Sequence, residues 1–366
     1  MSTPATIHRA PDWRADFPAL QQSVHGKPLV YLDSGASAQQ PAVVIDAVAS
    51  YQRNDHANVH RGVHELSGRA TDAFEGARDK IVEFINANSR KEVVLTRGTT
   101  ESINLVAQSF CRPRLKPGDR IVISYLEHHA NIVPWQIVCE QTGAELVVAP
   151  INDRGEVETA AMLELIDDRT FLVAMAHVSN ALGTICPVAD VTKRARACGV
   201  PVLLDGAQGV PHMAVDVQAL GCDFYAFSGH KMFGPTGTGV LWGREELLEE
   251  MPPWQGGGDM ILEVRFDKTV YNELPYKFEA GTPNISGVVG FGAAARYLED
   301  IGLHYATTLQ HWRARFFERL EEVRALGYSE EFIRMWEYYL CYCEGGFRDR
   351  AIGDVHLVAE RPRVSA

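Results

Sequence analysis

The sequence predicts an α/β fold built on a mainly parallel sheet, and three observations carry that prediction. From about residue 29 to 245, short apolar runs recur. Amphipathic stretches separate them, so strands alternate with helices and the sheet is covered on both faces. Polar residues suited to chemistry follow the runs, and ligands of such sheets bind beyond the carboxyl ends of the strands.

The runs fall at Val93-Val94-Leu95, Ile121-Val122-Ile123, Leu146-Val147-Val148, Phe171-Leu172-Val173-Ala174, Val202-Leu203-Leu204 and Val240-Leu241-Trp242. Helices are expected near 41–53, 70–87, 100–110, 131–142, 158–166 and 188–198. Pro252 to Pro283 is rich in Gly and Pro, with Gln255-Gly256-Gly257-Gly258 inside it, and reads as a long irregular loop of functional or interface use. A helix is expected from about Gly287 to Asp300. Residues 305–343 then turn dense in Trp, Tyr, Arg and Glu and read as helix broken at Leu326-Gly327-Tyr328, before a short strand at His356–Ala359. There is no internal repeat or low-complexity tract.

The chain has 366 residues, 46% hydrophobic and 22% charged, enough for one large domain and a smaller one. A net charge of -12 repels phosphate backbones and argues against nucleic acid. No apolar run approaches the roughly 18 residues that a bilayer demands. Met1 to Phe17 is polar and lacks a signal peptide's apolar core, so a cytoplasmic protein is expected. The seven cysteines are scattered and odd in number, with no C-x-x-C pair, which speaks against a disulfide framework or a zinc site. No metal site is expected.

Asp205-Gly206-Ala207-Gln208 follows one strand, and Ser228-Gly229-His230-Lys231 follows the apolar run Phe224–Phe227. A helix N-cap would account for a lone carboxylate there, and a surface position for a lone lysine. Together they suit pyridoxal 5′-phosphate. That cofactor needs a lysine amine for a Schiff base and an acid against its pyridine nitrogen. Asp205 and Lys231 fit those roles, and Gln208 is placed to donate to the ring's phenolate oxygen. Arg97-Gly98-Thr99-Thr100-Glu101 precedes a helix, where backbone N–H groups and the hydroxyls of Thr99 and Thr100 favour a phosphate, although a capping box alone gives the same pattern. Ser228 and His230 would complete that cradle. Glu127-His128-His129 offers an imidazole to stack on the ring and shuttle protons, and Asn180, in His177-Val178-Ser179-Asn180, stands to meet cofactor or substrate.

These motifs, in this order, resemble the group II cysteine desulfurases of the Suf type, relatives of the selenocysteine lyases. Trp13-Arg14-Ala15-Asp16-Phe17-Pro18, Tyr31-Leu32-Asp33-Ser34, Val59-His60-Arg61-Gly62, Glu127 to Trp135, and Phe278-Glu279-Ala280-Gly281-Thr282-Pro283 extend the match over about residues 10 to 300. The resemblance implies fold type I of the pyridoxal-phosphate transferases, like class V aminotransferases, with a mainly parallel seven-stranded sheet in a large domain over 29–285 after an N-terminal segment 1–28. It implies that Lys231 carries the cofactor, Asp205 pairs with the pyridine nitrogen, Gln208 meets the phenolate oxygen and His128 stacks on the ring. Thr100, Ser228 and His230 would bind phosphate. Thr282 would reach the phosphate of a partner subunit, hence a homodimer. Asn180 would hold substrate, with His60 and Arg61 near the site mouth. The substrate would be L-cysteine or L-selenocysteine, and the sulfur would pass to an acceptor protein for iron–sulfur cluster assembly. Gly35 stands where that family more often has Ala.

The family's small domain carries an Arg-x-Gly-His-His-Cys-type loop and a later substrate-binding arginine, and neither occurs in this chain. From about Leu298 the sequence instead resembles the C-terminus of cyclopropane-fatty-acyl-phospholipid synthases, at Glu299 to Tyr305, Leu309-Gln310-His311-Trp312, Arg334 to Leu340 and Cys343 to Arg348. The expectation is a cofactor domain joined to a foreign, mostly helical segment over 286–366, with impaired desulfurase activity. A thiol-independent lyase or transaminase, or an inactive cofactor-binding fusion, are the alternatives. No Gly-rich strand–turn–helix for S-adenosylmethionine is present, which argues against a methyltransferase.

Overall fold

Seven strands meet in one sheet: β1 (Val93–Thr96), β2 (Arg120–Ser124), β3 (Glu145–Ala149), β4 (Thr170–Ala176), β5 (Val202–Asp205), β6 (Phe224–Ser228) and β7 (Gly239–Gly243). This computed structural model describes residues 13–337, with backbone alone over 299–312. The strand order is β1-β7-β6-β5-β4-β2-β3. Strands β2 to β6 run parallel to one another, and β7 runs antiparallel to both β6 and β1.

The sequence forms strands here because each run has apolar side chains for both faces. Ile121, Ile123, Leu172, Ala174, Leu203, Phe224, Ala226 and Leu241 alternate onto one face. They pack with Ile103 and Leu105 of helix α3 (Thr99–Leu105), Phe110 of the π-helical turn that follows it, and Trp135 and Val138 of α4 (Val133–Thr142). The residues between them, Val122, Val173, Leu204 and Tyr225, point to the opposite face and are equally buried. Burial on both faces is what parallel sheets require. A further cluster joins Tyr51 of α1 (Ala42–Asn54) and Phe74 of α2 (Glu65–Phe84) to Ile285 and Val288. The first, second, fourth and sixth expected helices are found with bounds near those expected, as is α5 (Thr159–Glu164) and, running on into the π-turn, α3.

Two expectations are corrected. The stretch Pro252–Pro283 is not wholly irregular: it contains an antiparallel hairpin, β8 (Ile261–Val264) with β9 (Thr269–Tyr271), and a 3-10 turn at Tyr276–Phe278. Its β-forming Val, Ile and Tyr residues are short runs hidden among Gly and Pro. The helix expected to close near residue 300 runs without a break from Ile285 to Glu318. Asn284 starts it, its Oδ1 accepting the Gly287 N–H at 3.1 Å, and the interior glycines Gly290, Gly292 and Gly302 each cost a helix only about 1 kcal/mol.

The described residues form two compact units: Trp13–Val210 with Val215–Arg296, and a second with Pro211–Ala214 and the residues from Tyr297 on. In the second, Gly327 (φ +88°) ends the helical run and Tyr328, Phe332 and Trp336 stack in series, with centroids 4.5 and 6.1 Å apart. The strand expected at His356–Ala359, and Cys341 and Cys343, lie outside the described residues. No described helix is long and apolar enough to cross a membrane.

Candidate active site

Strand register sets the site. Ala176, Asp205 and Ala226 are mutual partners across the ends of β4, β5 and β6. Thr96, Gly239 and Ser228 form a second row across β1, β7 and β6. The residues that follow β1, β4, β5 and β6 at these rows emerge on one edge of the sheet. There a cavity of about 550 Å³ is lined by Thr99, Thr100, His128, Asn180, Asp205, Gln208, Ser228, His230 and Lys231. All nine are sequence-predicted site residues brought together from five separate strand ends.

At one end the chain enters α3 through Gly98, at φ +151°, a conformation open to glycine alone. A Cβ on Gly239 would stand 2.4 Å from the Gly98 Cα, so Gly239 must be bare for the strands to close. Ser228 Oγ accepts the Thr99 N–H at 2.8 Å and lies 2.7 Å from Thr99 Oγ1. The helix start and its hydroxyls form a corner that favours an anion. Glu101 accepts the Arg97 N–H and pairs with the Arg97 guanidinium, so the motif is also an N-terminal cap. The two readings of that motif coexist.

At the other end lies Asp205, 5% exposed, whose Oδ1 accepts the Ala207 N–H at 2.9 Å. Burial raises its pKa, against the opposing pull of that N–H, Lys231 and His128. Lys231 is shifted the other way: burial lowers it, against the field of Asp205. A partly desolvated amine and a buried carboxylate therefore share one cavity. Burial also lowers His128 and His230. His128 Nδ1 accepts the Ala130 N–H at 3.1 Å and so caps the short turn His129–Asn131.

Sequence reasoning did not assign the cavity residues Leu32, Asp33, Gly35 and Ala36 to the site. This segment is tied down by Gln208 Nε2, which donates to the Gly35 carbonyl at 2.6 Å, and by the Ala38 N–H on the His230 carbonyl at 2.9 Å. Its partners lie some 170 residues away or more, so no local pattern reveals it. A Cβ at Gly35 would meet Gln208 Nε2 at 3.7 Å, ordinary contact, so alanine fits there as well.

His60, Arg61 and Thr282 do not line this cavity. His60 Nε2 lies 2.9 Å from Glu75 Oε1, Arg61 Nε lies 2.5 Å from Asp259 Oδ1, and Thr282 is exposed. Among the described residues no group of His, Cys, Asp and Glu is placed to hold a metal ion. Cys111, Cys139, Cys186 and Cys222 are buried, Cys198 is partly so, and none lines the cavity.

The residues fit pyridoxal 5′-phosphate on structural grounds: an anion corner, a depressed amine and a buried acid line a single hollow of ligand size. Residues 30–331 match the family model of the class-V aminotransferases. A cysteine desulfurase of Dickeya dadantii (strain 3937) is 56% identical over 291 residues, 79% of this chain and 71% of that protein. One of Synechococcus elongatus is 54% identical over 298 residues, 81% of this chain, which spans about half (48%) of that protein's length. The crystal structure of a cysteine desulfurase of Escherichia coli superposes with a TM-score of 0.73 at 44% identity, covering 84% of this chain and 77% of that one. A matched family model over most of the chain, relatives above half identity and a site that suits the cofactor converge: the chain belongs to the class-V aminotransferase family and, within it, to the pyridoxal-phosphate-dependent cysteine desulfurases.

Proposed function

We propose that this chain binds pyridoxal 5′-phosphate through Lys231, takes L-cysteine or L-selenocysteine as substrate, and belongs to the Suf-type subgroup. The observation that carries this reading is the shared cavity of Lys231 and Asp205, with their ionisation pushed in opposite directions. Bound there, the cofactor supplies an electron sink for the bonds broken at the substrate. The chain's own residues do the rest. Lys231, depressed by burial, presents more neutral amine for attachment than a surface lysine would. Asp205 holds a proton on the ring nitrogen, and that proton's positive charge offsets the cost of burying the carboxylate. Thr99, Thr100, Ser228 and His230 take the phosphate, and Gln208 orients the ring from the phenolate side. His128 stacks on the ring and, with Lys231, moves the substrate proton. Asn180 holds the substrate. Thr282 serves the neighbouring site of a homodimer, and His60 and Arg61 stand near the site mouth.

Desulfuration ends when a thiolate takes the substrate sulfur: its bond to that sulfur forms, the carbon–sulfur bond breaks, and the carbon gains a proton to give alanine, leaving a persulfide. Burial pushes the Cys186 thiol up to about 12. We infer that no described thiol performs this step and that the acceptor is a thiol from outside, an acceptor protein or a small molecule. The segment 286–366, with its likeness to cyclopropane-fatty-acyl-phospholipid synthases, stands in place of the family's small domain. Desulfurase turnover is then impaired, and the absence of a thiol at the cavity among the described residues favours, as a second reading, direct elimination or transamination.

The test is the visible spectrum of the purified chain before and after cysteine. The wild type is expected to show a cofactor band that shifts with cysteine, and Lys231→Ala to lose the covalent attachment. A chain that stays colourless when supplied with the cofactor overturns the reading. Sulfide and alanine at relatives' rates without added thiol overturn the impairment, and keto-acid products identify the transaminase.

A further inference from the structure

Directly before His128 sits a carboxylate that the reading above leaves without work. Glu127 is 8% exposed, and both of its oxygens face donors. Oε1 accepts the Ser124 hydroxyl at 2.5 Å and the Ala176 main-chain N–H at 3.0 Å. Oε2 accepts the Asn131 side-chain amide at 2.6 Å. Asn131 is fully buried, and its Oδ1 accepts the Trp135 indole N–H at 2.9 Å.

The direction of these bonds is fixed from outside. An indole N–H only donates, so Asn131 must turn its oxygen to Trp135 and its NH₂ to Glu127. A main-chain N–H also only donates, so Oε1 must accept as well. The network thus demands two acceptor oxygens at position 127. Glutamine would set an NH₂ against either the Ala176 N–H or the Asn131 NH₂, leaving a buried donor unmet.

The network also joins particular parts. Ser124 ends β2, Asn131 closes the turn that His128 caps, and Ala176 ends β4 and lines the cavity beside His128 and Ala130. We propose that Glu127 is a positioning residue: it fastens the His128 turn to the end of β4, so that His128 and Ala176 face the cofactor as one wall. Burial, outweighing the three donors, lifts Glu127 to about 7, and the field of Asp205 adds to the rise. The group therefore also lies within electrostatic reach of the site's acid.

The inference rests on His128 serving the site as proposed above, and the test separates the two. Three proteins are compared in full length: wild type, Glu127→Gln, and the paired exchange Glu127→Gln with Asn131→Asp. The pair restores every donor and acceptor, since the new carboxylate accepts from both Trp135 and the new amide. In the apoproteins, the imidazole resonances of His128 are followed by NMR. In the loaded proteins, the visible circular dichroism of bound pyridoxal phosphate, its release rate and the split between kcat and KM are measured. Glu127→Gln is expected to shift the His128 resonances, weaken the dichroic band, release cofactor about tenfold faster and lower kcat more than KM, as one unmet buried donor implies. The paired exchange is expected to return resonances and release rate close to wild type. Unchanged His128 resonances and release in Glu127→Gln overturn the inference. So does a paired exchange no better than the single one, a comparison that still decides the matter if the single variant fails to fold. A wild type that binds no cofactor would sink the reading of the site instead, leaving the apoprotein resonances to judge Glu127.

Discussion

Gly206 shows how single positions shape the acid's surroundings. A Cβ there would meet Tyr225 Cε1 at 2.1 Å and its hydroxyl at 2.5 Å. Tyr225 cannot retreat, because it is fully buried and its hydroxyl lies 2.9 Å from His177 Nδ1. Gly206→Ala is therefore expected to cost about 1–3 kcal/mol of stability, as overpacking does, and to weaken cofactor retention by moving Asp205. Urea unfolding and cofactor titration check this. Removing the hydroxyl in a Tyr225→Phe background is expected not to rescue it, since the ring carbon already collides. Asp205, Lys231 and His128 were legible as candidates because an acid, an amine and an imidazole, each ordinary alone, all follow strands of one α/β pattern and together suit one cofactor. Glu127 and Tyr225 were not, since a Glu beside two His residues and a Tyr inside an apolar run carry no sign of which atoms they will meet.

Among the elements, α2 is held by an ion network rather than by apolar contact alone. Arg78, fully buried, donates to both oxygens of Glu279, to Glu75 and to the Val93 carbonyl, and its guanidinium lies over the Phe74 and Tyr276 rings. Glu279 Oε1 also accepts the Leu95 N–H at 2.7 Å. One arginine so joins α2, β1 and the loop that carries Thr282. Burial pushes Glu75 up, but the His60 bond and the Arg78 cation outweigh it and hold it at about 2. Arg78→Met takes the buried cation from Glu279 and leaves Glu75 with only Arg90, at 3.6 Å, and His60, and is expected to cost about 3–5 kcal/mol, measured by urea unfolding. A loss below about 1 kcal/mol would show that the network is not structural. The Glu of Phe278-Glu279-Ala280-Gly281-Thr282-Pro283 was visible as part of a motif, yet its partner 201 residues earlier was not.

For the whole molecule, two buried groups set opposed pH slopes. Burial lowers His177 to about 4 from 6.5, so between those values the unfolded chain binds the proton and the fold weakens as pH falls. Glu127 is raised to about 7 from 4.5, so the folded chain binds that proton and the fold weakens as pH rises through that range. Over the shared window, from about pH 4.5 to 6.5, the two largely cancel. Removing the first with His177→Gln is expected to leave the second exposed. The stability advantage of wild type over variant should shrink by on the order of 1–3 kcal/mol on going from pH 7 to 4.5. Urea unfolding at several pH values measures it, and a difference independent of pH would refute the assignment.

The sequence by itself determined the alternation of strand and helix, the sheet's parallel character and which residues follow each strand, because apolar periodicity and punctuation act over a few residues. From these alone Lys231, Asp205, His128 and the Thr99–Thr100 turn were identified as one chemistry. Only the tertiary structure decided that residues 32–36 line the cavity, that a hairpin forms within Pro252–Pro283, and that Glu127 accepts from the ends of both β2 and β4. Those facts depend on register and on contacts between distant parts of the chain, which no local pattern encodes.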